Sequence, residues 1–99
     1  MAAARLATAS PQPLTHRLPA ILCAAATRLE QMNPDASMSE HARHREIQVS
    51  VWDHHGIYNN AVVGRDITAV LASIRDVPLA GTRAAYADRL RATARTVTR

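Results

Sequence analysis

The chain has 99 residues, enough for one domain with a modest core. Its apolar share is 47%, but much of that is alanine, with no phenylalanine, one tryptophan and two tyrosines. Twelve arginines face eight acids for a formal charge of +4; the single Cys23 excludes an internal disulfide and a multi-thiolate metal site, and the longest apolar stretch, Ala20 to Ala26, is too short for a membrane-spanning helix.

Residues 1–16 combine alanines with Ser10-Pro11-Gln12-Pro13 and read as a flexible basic arm; residues 17–99 read as one compact domain. The acid-free start has the composition of an organellar transit peptide. Its apolar spacing nevertheless continues into the next segment, which favours an arm leading into a helix. That first helix is expected from about Thr15–Pro19 to Met32. Leu18, Ile21, Leu22, Ala25, Leu29 and Met32 form its apolar stripe, and Asn33-Pro34-Asp35 stops it. Cys23, among Ile21, Leu22, Ala24 and Ala25, reads as a packing thiol.

Residues 35–45 are polar and read as a connection or short helical turn. Next, Glu46 to Trp52 alternates: Ile47, Val49 and Val51 on one side, Gln48, Ser50 and Trp52 on the other, the period of a strand. Asp53-His54-His55-Gly56 would reverse the chain into Ile57–Val63, giving a β-hairpin. Asp66 is then expected to cap a second helix carrying Ile67, Val70, Leu71 and Ile74. After Asp76–Gly81, Thr82 would cap a third, with Tyr86, Leu90 and Val97 on its apolar side. The expected architecture is therefore small α+β and mainly helical: helix, hairpin, helix, helix. A hairpin is marginal alone and large apolar side chains are scarce, so the domain is expected to be a homo-oligomer or to bind a protein partner.

Three functions compete. The first is non-catalytic association, with Trp52 and Tyr58 as interface residues near the turn. The second is nucleic-acid binding through a basic C-terminal helix: Arg91, Arg95 and Arg99 recur every four residues, Arg83 and Arg89 widen the patch, and the arm adds contacts. The third is metal-assisted hydrolysis centred on Asp53, His54 and His55, with His41 and His44 as further ligands. The string Asp53-His54-His55 resembles the metal-ligating signature of the DHH phosphoesterase family, which would imply divalent metals activating water for phosphoryl hydrolysis. The resemblance covers three residues, and that family's other aspartate and histidine motifs are not in the sequence. A ββα-metal nuclease would draw on Asp53 or His54 with Asn60, but the following helix has no histidine. No phosphate-binding glycine loop or nucleophile turn is recognisable. Association is the leading expectation, without a cofactor and in the cytoplasm.

Overall fold

The computed structural model describes residues 14–55 and 60–97. The described residues form four helices: α1 (Leu14–Gln31), α2 (Glu40–Asp53), α3 (Asn60–Ser73) and α4 (Arg83–Val97). The described residues contain no strand; their one β-type contact is an isolated antiparallel bridge between Ser37 and Thr82. The described residues make an all-helical four-helix bundle, not an α+β fold, and form no hairpin.

The expected first strand lies wholly inside α2. Ser39 caps this helix, its side chain accepting a hydrogen bond from the Ala42 amide at 3.1 Å, and Glu40 sits favourably in the first turn. The face turned to the core is Ala42, Glu46, Ile47, Ser50 and Val51, a helical stripe. Ile47 and Val51 thus point inward together while Val49 turns away, which alternation cannot produce. The β-branched residues cost a helix only about 0.7 kcal/mol each at most, and burial of Ile47 and Val51 outweighs that. The pattern misleads because two inward positions hold Glu46 and Ser50. Glu46 is buried because Arg28 on α1 donates to it from Nε at 2.7 Å.

The described part of the proposed second arm, Asn60–Val63, is not a strand but the start of α3, and the rest of that arm, 57–59, lies outside the described residues. Asp66 is consequently not a cap but a mid-helix residue turned inward. Gly64 does not start the helix either; it is exposed within α3, and a Cβ there would meet nothing within 4 Å.

The core follows most of the expected positions. On α1, Ile21, Leu22, Ala25, Ala26 and Leu29 are buried; on α4, Tyr86, Ala87, Leu90 and Ala94 meet them. Alanines on both sides of this α1–α4 contact, the most extensive in the fold, let the helices approach closely. Val63, Ile67, Val70 and Ile74 supply the buried face of α3, while Leu18 and Leu71 are only partly covered, and Met32 and Val97, expected on apolar faces, are exposed at the ends of their helices. Cys23 departs from expectation: it is exposed, on the side of α1 away from the core.

The two longer connections hold each other. Asn33 ends α1 in the left-handed region (φ 55°), as asparagine tolerates, ahead of Pro34. The Met38 amide donates to the Gly81 carbonyl, Arg83 to Ala36 and Ala84 to Pro34, at 2.9–3.0 Å. Gly81, at φ 97°, makes the turn that allows this exchange. Thr82 caps α4, accepting from the Ala85 amide at 3.1 Å.

Candidate functional site: the outer face of α2

The face of α2 opposite the core carries His41, His44, Arg45, Gln48, Val49 and Trp52. Their spacing (i, i+3, i+4, i+7, i+8, i+11) places them in one stripe. They line an open groove of about 450 Å³. Trp52 and Val49 form its apolar floor; both are partly buried, and the Trp52 ring also packs against the core cluster. His41, His44, Arg45 and Gln48 are exposed. Glu40 and Asp53 lie off the stripe at the two ends of the helix, so the face offers hydrogen-bond donors and one fixed positive charge without a carboxylate among its lining residues.

The Asp53-His54-His55 string is drawn apart. Asp53 is exposed on the last turn of α2. His54 Nδ1 donates to the Ser50 carbonyl at 2.9 Å. His55 is buried and donates from Nε2 to Asp66 Oδ2 at 2.9 Å. Arg17 of α1 donates to the same carboxylate oxygen at 2.8 Å, so a single aspartate ties α1, the end of α2 and α3 together. Desolvation pushes the Asp66 carboxyl upward, but hydrogen bonds from Arg17 and His55, and then their charges, outweigh it and hold the group below its ordinary 3.8. His41 and His44 lie on the outer face of α2, and about nine residues of helix separate His44 from Asp53, about 13 Å of axis. No cluster of three or more potential metal ligands occurs among the described residues.

The basic residues of α4 are largely engaged in holding the fold. Arg91 forms a two-pronged pair with Glu30 of α1 at 2.6 and 2.7 Å. Its hydrogen bonding lowers the Glu30 carboxyl and raises the Arg91 guanidinium. Arg83 donates to the Met32 carbonyl at 3.1 Å, and Arg89 to the carbonyls of Pro78 and Ala80 at 2.8 and 2.6 Å. Arg95 is exposed on the last turn of α4. Arg99 and Tyr58 lie outside the described residues.

The alternating pattern marked Trp52 and set Gln48 on its side of a strand, but put Val49 on the opposite side and left Arg45 outside the element. The signal was available: positions 41, 45, 48 and 52 have helical spacing once Ser39 is read as a cap. Arg17, Arg28 and Glu46 as internal ion-pair partners had no comparable signal, since their contacts span 18 to 49 residues of sequence.

What the described residues define is a small helical domain with a groove-bearing helix face. No protein family, curated protein or solved structure matches the chain. No helix among the described residues is long and apolar enough to cross a membrane.

Proposed function

We propose that this domain acts by association, docking a protein partner on the outer face of α2. The observation that carries this reading is the groove itself: an indole and a valine on the floor, rimmed by His41, His44, Arg45 and Gln48. Amphipathic aromatic anchors ringed by donors are what protein interfaces use. A single exposed thiol with no disulfide suits a reducing compartment, and cytoplasmic action belongs to the same reading.

The nucleic-acid reading is weaker. Arg83 and Arg91, two of its principal residues, already have partners within the fold. The hydrolytic reading is weaker still, because His55 is buried against Asp66.

The test is a photocrosslinking residue placed at Gln48 and, in a second protein, at Ala69. Both sites are exposed, on α2 and α3 respectively. The expected result is a discrete polypeptide adduct from Gln48 and none from Ala69 in cells expressing the domain. Equal labelling from both positions, or none from Gln48, would remove the α2 face from the account.

A further inference from the structure

We infer that the segment seated on α2 is acidic: a short amphipathic stretch of a partner polypeptide, with apolar side chains against Trp52 and Val49 and carboxylates against Arg45, His41 and His44. This rests on the association reading and adds the chemistry of the occupant.

The fold leaves a set of polar groups on this face unused. Arg28, Arg83, Arg89 and Arg91 each donate to an acceptor inside the molecule, and the Arg91 guanidinium is matched by both Glu30 oxygens. On the outer face of α2, Arg45, His41, His44 and Gln48 make no such bond to any described residue, although they occupy four of the six positions lining the groove. A guanidinium fork presented beside an apolar floor is suited to a carboxylate, which it can hold in a two-pronged geometry. The apolar floor supplies the burial an isolated surface ion pair lacks, and this decides the energetics, because an exposed pair alone contributes only about 0–1 kcal/mol.

Charge also separates the competing occupants. The chain's own N-terminal segment, residues 1–13, contains Arg5 and no acid. It offers nothing to Arg45. A second copy pairing through the same face would bring the same lining residues, none of them a carboxylate to meet Arg45. Nucleic acid fits the donors but requires a row of cations along a phosphate track. This face has one arginine, with Glu40 and Asp53 at the ends of its helix. A carboxylate-bearing peptide with an apolar edge satisfies both floor and rim.

Trp52 is the chain's only tryptophan, so its emission reports directly on the groove. The probes are a tryptophan-free peptide with leucines along one helical face and glutamates on the other, the same peptide with lysine for every glutamate, and oligothymidylate. The glutamate peptide is expected to shift Trp52 emission to the blue in a saturable manner, with little response to the other two. Arg45→Glu should weaken that binding by about tenfold or more, since it replaces attraction by repulsion, and Gln48→Glu should weaken it in the same direction. Both substitutions are at exposed positions, and unchanged helical circular dichroism establishes that the variants are folded. Equal binding of the lysine peptide would overturn the acidic assignment while leaving α2 as a docking face. So would undiminished binding by folded Arg45→Glu. Preference for oligothymidylate, or an emission shift driven by protein concentration alone, would overturn it in favour of nucleic acid or a second copy. Silence to every probe, at every protein concentration, would remove both the acidic occupant and the association reading.

Discussion

Asp66→Ala is expected to cost about 3–5 kcal/mol, the loss typical of removing one partner from a buried ion pair. The carboxylate accepts from Arg17 and from His55, whose side chain is only 2% exposed. Without it, a buried imidazole N–H and a largely buried guanidinium lose their common acceptor, and α1, the end of α2 and α3 lose their shared anchor. Domains of this size have a total stability of about 5–15 kcal/mol, so the variant would be close to unfolding at ambient temperature. Chemical denaturation followed by circular dichroism measures the loss; a change below about 1 kcal/mol, the value of an exposed pair, would show that the cluster is not the anchor described here. The pH dependence has a definite sign. Because the folded carboxyl is held below its ordinary 3.8, its contribution is fully present above that value and is lost as pH falls through the lower folded-state value. Asp66→Asn should flatten this acid limb of the stability curve while leaving the plateau near neutrality lower than that of the unaltered protein.

Tyr86 gives the second large effect. Its side chain is completely buried where α4 meets the core, and truncation to alanine should cost about 3–5 kcal/mol through lost burial and the cavity left behind. Its hydroxyl behaves differently from the ring. Burial raises the pKa of this group and the nearby Arg43 guanidinium opposes the shift, but the approach of Arg43 falls short of full hydrogen-bonding geometry and no other described residue bonds the oxygen. Removing a buried hydroxyl that has no partner relieves its desolvation penalty. Tyr86→Phe should therefore be neutral or more stable, by up to about 1 kcal/mol, against a loss of about 1–3 kcal/mol had the hydroxyl been well bonded. Thermal denaturation of the two variants side by side separates ring from hydroxyl.

Three of the four helices were legible in the sequence because their apolar residues keep helical spacing: Ile21, Leu22, Ala25 and Leu29; Ile67, Val70, Leu71 and Ile74; Tyr86 and Leu90. The helix α2 was not. Its buried stripe includes a glutamate and a serine, so the periodicity that marks an amphipathic helix is broken where it matters. Ile47, Val49 and Val51 then supply an accidental alternation. What rescues the helix is Arg28, eighteen residues earlier, and nothing local announces that pairing. The same blindness turned Asp66 from an internal acceptor into an apparent cap, since aspartate after Gly64 has the composition of a helix start and the residues that claim it, Arg17 and His55, lie on other elements. For the candidate site, the residue was legible and its setting was not. Trp52 stood out as the lone tryptophan and alternation put Gln48 beside it, while Arg45 and Val49 join that face only when 40–53 is wound as a helix. The histidine pair drew attention for its adjacency, yet adjacency on a helix end sends the two rings to different partners: one to the Ser50 carbonyl, one to Asp66.

Native mass spectrometry of the gently purified protein, beside a folded Arg45→Glu/Gln48→Glu variant, decides whether α2 docks a partner. An added polypeptide mass is expected on the unaltered domain and its loss from the variant, with the domain itself intact in both. Bare monomers in both preparations, an added nucleic-acid mass, or a polypeptide retained undiminished by the variant would contradict it.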